Sequence, residues 1–178
     1  ELSVEELQGW KQEVVDGLTG GVETLEKKHG VNIVRGNARF RDENTIHVNT
    51  EKASRTLEFN NCVLATGSRP VMVLPGLETD GSTVIGSKKA LKLEEIPEKL
   101  VIVGGEYIGM ELGTVYSRLG SEVTVVEAGD SILGKMDQEA VRTVRKKAEE
   151  DGIEFLTDEK AEEKLEKDGK TYLRSEER

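Results

Sequence analysis

Val101-Ile102-Val103-Gly104-Gly105-Glu106-Tyr107-Ile108-Gly109-Met110-Glu111 decides the fold, together with Leu119-Gly120 and Val123-Thr124-Val125-Val126-Glu127 that follow it. A short apolar run meets a glycine-rich turn, then a helical pattern, then a second apolar run that ends in an acid. That is the sequence form of a strand–turn–helix–strand unit that binds a dinucleotide. One residue departs from the template. G-x-G-x-x-G started at Gly104 asks for glycine at positions 104, 106 and 109, and position 106 is glutamate.

Each part of the stretch has a physical task. Gly104 permits the tight turn out of the strand, and Gly109 lets the helix lie close against the sheet. The helix N-terminus offers free N–H groups and a partial positive charge to a pyrophosphate. A carboxylate at Glu127 can accept the ribose hydroxyls of NAD and would repel the extra phosphate of NADP. No arginine stands in Ala128-Gly129-Asp130, so the expected coenzyme is NAD. A βαβ unit with no ligand is the plain alternative, which the correctly placed acid argues against. At Glu106 an inward-pointing carboxylate about 4 Å from a phosphate would repel it by about 4 kcal/mol at an effective dielectric near 20. That is a loss of roughly a thousandfold in affinity. A side chain turned to solvent pays much less.

Downstream, the pattern continues as helix and strand. Residues 137–151 read as a second helix, with Asp137 at its start and Ala140, Val141, Val144 and Ala148 facing inward. Gly152 ends it, and residues 153–157 make a third strand. Residues 158–169 are nearly all charged, and Thr171-Tyr172-Leu173 leaves room for one short strand. A doubly wound sheet needs more strands than this. The expectation is a chain that stops before its domain is finished.

Upstream, Asn61-Cys62-Val63-Leu64-Ala65-Thr66-Gly67-Ser68-Arg69-Pro70 reads as an unbroken apolar strand halted at Thr66-Gly67-Ser68, with Pro70 forbidding its continuation. Before it, short extended segments at 31–35, 38–41, 45–48 and 56–59 read as a small β-meander. Residues 3–29 read as a helix with Ser3 and Glu6 as a capping box. Leu7, Trp10, Val14 and Leu18 mark one apolar face, Gly20-Gly21 is expected to loosen or bend the helix, and Val22 and Leu25 resume the stripe. Lys27-Lys28-His29-Gly30 ends the helix with cations at its negative pole, which makes His29 a helix-end charge. His47 falls on the polar side of its strand and reads as a surface residue. Residues 71–98 have low periodicity and read as a linker with a helical turn at 87–91.

The whole chain of 178 residues has 35% apolar and 34% charged residues and a formal charge of −10. An acidic surface argues against nucleic acid or an anionic membrane as partner. A well-solvated surface and adaptation to high salt both fit that balance. The single cysteine, Cys62, permits no intrachain disulfide and reads as a small packed thiol. There is no signal-peptide pattern and no run long enough to span a membrane, so the cytoplasm is the default location. The opening Glu1-Leu2-Ser3-Val4, without methionine, suggests a start within a longer protein.

The stretch Leu100–Glu127 resembles the NAD-binding segment of dihydrolipoamide dehydrogenases, members of the FAD-dependent pyridine nucleotide-disulfide oxidoreductases. Val63-Leu-Ala-Thr-Gly-Ser-Arg-Pro70 and Leu74-Pro75-Gly76 are similar to the family's second FAD-contacting segment and the link after it. The resemblance implies an α/β fold: a Rossmann-like βαβ NAD-binding part preceded by the helix, β-meander and last strand of an FAD-binding domain. Residues 1–70 would be the C-terminal part of the FAD-binding domain, 71–98 the linker, and 99–178 the N-terminal part of the NAD-binding domain.

The same resemblance implies cofactor contacts. Gly104, Gly105, Glu106, Tyr107, Ile108, Gly109, Met110, Glu111 and Glu127 would hold NAD. Ala38, Thr66, Gly67 and Ser68 would hold FAD, Ala38 beside the adenine through its backbone. Glu111 matches an acid that pairs with a lysine beside the flavin, and Tyr107 a place where some members keep an aromatic over the nicotinamide pocket. Packing at the helix start is an equally good reading of Tyr107. The expected activity is oxidation of dihydrolipoamide, with electrons passed through FAD to NAD. The partners would be the lipoyl group of a 2-oxo acid dehydrogenase complex or a small-molecule disulfide, with a homodimer at full length. The family's C-x4-C pair, the lysine partner of Glu111 and its His–Glu base have no counterpart here, so no catalytic residue is expected in this chain and it should not turn over alone. A sibling NADH oxidase or mercuric-type reductase and a non-catalytic truncated binding module are the alternatives.

Overall fold

The computed structural model describes residues 3–70, 75–92 and 94–177. They fall into two compact units, Gly9–Arg69 and a second formed by the first eight residues with Pro70–Arg178. Leu74, in the expected link, lies outside the described residues.

Helix α1 (Val4–Lys28) begins as its sequence suggests: the Glu6 amide donates to Ser3 Oγ at 3.2 Å. It runs unbroken through Gly20-Gly21, so the two glycines do not interrupt it. Glycine costs helix propensity but removes no hydrogen bond, which is why two of them can be carried without a break. The helix closes on Gly30 at φ +69°, with the Val31 amide donating to Glu26 O and the Gly30 amide to Lys27 O. This double bond pattern satisfies carbonyls that the helix end leaves free.

In the Gly9–Arg69 unit, β1 (Asn37–Asp42), β2 (Thr45–Asn49) and β3 (Ser54–Glu58) form the expected antiparallel meander in that order. Residues 31–35 form no strand. Val48 is the unit's buried hydrophobic among the described residues, while Trp10, Val14, Leu18, Val22 and Leu25 stay exposed on their helix. The apolar face of α1 therefore forms without being covered here.

Two expectations about residues 61–69 fail. The run pairs with no strand, and Cys62 is exposed, as are Val63 and Leu64. An apolar run of this kind becomes a central strand only with ladder partners on its edges. The described residues supply none.

The other unit is built on a parallel sheet. Strands β4 (Lys99–Val103), β5 (Glu122–Val126) and β6 (Glu154–Leu156) lie in that order, with Val101 opposite Thr124 and Val125 opposite Phe155. Helix α2 (Ser87–Ala90) is a single turn, α3 (Tyr107–Arg118) links β4 to β5, and α4 (Gln138–Glu150) links β5 to β6. Val123, Val125 and Val126 of the central strand are buried, and the first two pack with Met110 and Tyr116 of α3, Val141 and Ala148 of α4, and Ile132 and Ile153. Val4 and Leu7 reach the same core. Val144 and Ala140 are exposed, against expectation, because the buried stripe of α4 is the narrower line through Val141 and Ala148.

Helix ends in this unit are tied by specific groups. Asp137 caps α4, accepting from the amides of Glu139 and Ala140 at 3.0 and 3.2 Å. Asp151 at its far end accepts from Arg118 and Lys147, both at 2.9 Å, joining α4 to α3. Tyr116 is buried and donates to Ala90 O at 2.8 Å, which anchors α2. Burial also raises the pKa of its phenol above the ordinary value.

The charged tail is the main surprise. Residues expected to hold one short strand form a long antiparallel hairpin, β7 (Glu159–Lys167) and β8 (Lys170–Glu177). Asp168 and Gly169 make its two-residue turn, with φ of +52° and +71°. Asp-Gly is a favoured sequence for such a turn. Arg174 ties the strands by charge: it stands opposite Glu163 and bonds both Glu163 and Glu162.

Candidate functional site

The site of interest is where β4 gives way to α3. Gly104 leaves the strand at φ +102°, in the region that favours glycine, and its amide donates to Val126 O at 2.8 Å. That bond carries the sheet ladder one residue past β4. The next amide, of Gly105, donates to Glu127 Oε2 at 2.8 Å, while Gly129 donates to Glu127 Oε1 at 2.7 Å. Glu127, at the end of β5, thus holds the glycine turn with one oxygen and its own following loop with the other. Each carboxylate oxygen has a further lone pair, so both can still accept from a hydroxyl.

Glycine is required at Gly105 and Gly109 by space. A Cβ on Gly105 would come within 2.7 Å of Ile132 Cγ2. On Gly109 it would come within 2.2 Å of Gly104 O. The first turn of α3 is therefore pressed directly against the turn that precedes it. This close approach is what a phosphate-binding helix start needs.

Glu106 is the N-cap of α3, with extended backbone (φ −78°, ψ 174°) and no side-chain bond to the helix. Its side chain is exposed. The carboxylate is therefore in water and not packed into the glycine turn. Tyr107 and Ile108 are also exposed, at the open side of the helix start. Met110 is buried in the core and Glu111 lies on the exposed face of α3. The structure thus brings Gly104, Gly105, Glu106, Gly109 and Glu127 to one place, and gives Met110 a packing role.

A further contribution was not evident from the motif. The loop after β5 folds under the glycine turn: Leu133 donates to Gly105 O at 2.9 Å, and fully buried Ile132 fills the space below Gly105. Leu133 pays for this with φ +51°. The signal available in the sequence was the adjacent apolar pair Ile132-Leu133 in the loop between β5 and α4.

In the other unit, Ala38 and Thr66 line one cleft of about 300 Å³, with Phe40, Ile46, Cys62 and Leu64 among its walls. Its lining is mainly apolar, as suits a planar ring system. Gly67 follows at φ +76° with open space around it. Gly67 and Ser68 are exposed and adjoin Thr66 in sequence without lining the cleft. Among the described residues, no helix is long and apolar enough to cross a membrane, and no cluster of side chains could hold a metal ion.

Residues 2–178 match the family described as pyridine nucleotide-disulphide oxidoreductase. A dihydrolipoyl dehydrogenase of Haloferax volcanii is 48% identical over 157 residues, which is 86% of this chain and 33% of that protein. One from Staphylococcus aureus is 46% identical over 157 residues, 88% of this chain and 33% of its own length. The chain therefore spans about a third of the curated relatives it matches. Among solved structures, LpdA from Mycobacterium tuberculosis superposes with a TM-score of 0.84 at 20% identity, covering 98% of this chain and 39% of that one. The HOCl-induced flavoprotein disulfide reductase RclA from Escherichia coli gives 0.77 at 24%, covering 95% and 38%. At these identities the likeness speaks for the fold.

Proposed function

We propose a function from one premise: this chain belongs to the pyridine nucleotide-disulphide oxidoreductase family. The reading is that it carries cofactor-binding segments of a dihydrolipoamide dehydrogenase. In the complete reaction dihydrolipoamide loses two electrons and two protons to become lipoamide, and NAD+ becomes NADH with release of one proton. FAD, when bound, supplies the two-electron relay between them.

The observation that carries this reading is the geometry around Glu127. A glycine turn too tight for any Cβ at Gly109 meets a helix start, and a carboxylate with spare lone pairs stands beside it. Gly104, Gly105 and Gly109 present backbone to a pyrophosphate, and Glu127 accepts from the ribose hydroxyls. Tyr107, Ile108 and Glu111 border that position, and Met110 supports it from the core. Ala38 and Thr66, with Gly67 and Ser68, form the FAD-facing segment, supported by the apolar cleft. NAD rather than NADP is favoured because the loop after Glu127 holds no arginine. A dihydrolipoyl group as substrate and a homodimeric assembly are read from the relatives' names and family. The domain reading is likewise a proposal: residues 1–70 for FAD, 71–98 as link and 99–178 for NAD.

The test is an assay of the protein carrying this chain with its flavin bound. NADH formation from dihydrolipoamide and NAD+ is expected. NADH consumption with oxygen or mercuric ion as acceptor, and none with lipoamide, would overturn the reading in favour of a sibling enzyme.

A further inference from the structure

Glu106 occupies the position at which the binding template wants the smallest residue, and the structure shows where its charge goes. The side chain is exposed, makes no cap bond to α3, and enters no ion pair among the described residues. The acids that flank it in the fold carry charge of the same sign. Glu127 is held by two backbone amides, Glu111 lies farther along the exposed face of the same helix, and Asp130 is exposed on the loop beyond Glu127. The carboxylate therefore stands uncompensated in water at the helix start where a pyrophosphate would lie.

We infer that Glu106 makes dinucleotide affinity rise with ionic strength. The inference rests on the dinucleotide reading of this site. Two opposed effects act on an incoming diphosphate. The N–H groups of α3 and the glycine turn attract it at hydrogen-bond range, where salt screens little. The Glu106 carboxylate repels it across solvent, where salt screens strongly. The Debye length falls from about 30 Å at 10 mM salt to about 3 Å at 1 M. Raising salt therefore removes the repulsion while leaving the short contacts in place. The net charge of −10 adds a diffuse repulsion of the same sign. For an exposed carboxylate at contact range the repulsion is worth about fivefold to tenfold in affinity at low salt.

The experiment titrates NADH into the full chain and into Glu106→Gln and Glu106→Lys, at 20 mM and at 1 M KCl, with circular dichroism to confirm that each is folded. The chain itself should bind about fivefold or more tightly at high salt. Glu106→Gln should bind more tightly than the parent at low salt and converge with it at 1 M. Glu106→Lys should show the opposite slope, losing affinity as salt rises. Comparing variants isolates the effect of residue 106, since any general action of salt is common to all three. Binding of NADH by all three with the same salt dependence would overturn the inference and leave the dinucleotide site standing. Failure of all three to bind at either salt would overturn the reading of the site itself, and the inference with it.

Discussion

Glu127 Oε2 lies 2.8 Å from the amide nitrogen of Gly105 and accepts its hydrogen. The residue expected to read the ribose is thus also a brace for the turn that would hold the pyrophosphate. Its other oxygen holds Gly129, so one carboxylate joins the ends of β4 and β5 and the loop that follows. On the proposed reading, recognition and preorganisation would be vested in one side chain.

The brace predicts a stability effect that a simple ribose contact would not have. Glu127→Gln keeps one acceptor oxygen but presents an NH2 group to an amide that needs an acceptor. The unfolding free energy from urea titration should fall by about 1–3 kcal/mol, and NADH affinity should fall with it. Unchanged stability would mean that the Gly105 and Gly129 bonds contribute nothing.

Close packing at the helix start makes a second prediction. The Cβ of Gly109→Ala would stand 2.2 Å from Gly104 O, which is backbone and cannot rotate away. The turn must open, costing about 1–3 kcal/mol and abolishing dinucleotide binding. Gly113→Ala, one turn later, meets Ile102 Cδ1 at 3.2 Å, the end of a flexible side chain. It should unfold at nearly the parent's urea midpoint.

A third prediction concerns acid. The Thr83 hydroxyl, the amides of Ser82 and Val84, and the Lys164 ammonium hold the Asp80 carboxyl well below the usual carboxylate range. A depressed pKa stabilises the fold fully above the unfolded value of 3.8, and the contribution is lost as pH falls toward the folded value. Asp80→Asn should therefore melt at a lower temperature than the parent at pH 6. The gap should narrow as pH drops from 4 toward 2, and thermal melts across that range would show it. A gap independent of pH would remove ionised Asp80 from the account. Because the group is solvent-accessible, the effect should also weaken in high salt.

How much of this could be read from the residues alone varies along the chain. The stretch from Val101 to Glu127 was legible because three independent constraints coincide there: strand periodicity, glycine spacing and a terminal acid. The hairpin at 159–177 was not, because its strands are mostly charged, with Arg174 bonding Glu162 and Glu163 across the pair, and a charged run reads as solvated coil. Asp168-Gly169 was the signal, a turn that demands positive φ at both residues. Residues 61–65 mislead in the opposite way. Apolarity records an environment the segment is suited to, but a strand exists only where another strand supplies hydrogen bonds. The stripe on α1 makes the same point: Leu7 is packed against the core while Trp10 and Leu18 remain exposed. At the site, the motif located Gly109 and Glu127. It did not reveal that Ile132 and Leu133 support Gly105 from below, since that contact depends on a loop conformation no spacing rule describes.

The central claim is that the turn from Gly104 to Gly109, with Glu127, binds the dinucleotide. Amide resonances of the 15N-labelled chain, followed while NADH is added, test it most directly. The account predicts saturable shifts centred on Gly104, Gly105, Glu106, Gly109 and Gly129, with the β7–β8 hairpin unmoved. Saturable shifts confined to other residues, or none up to millimolar NADH at high salt, would contradict it.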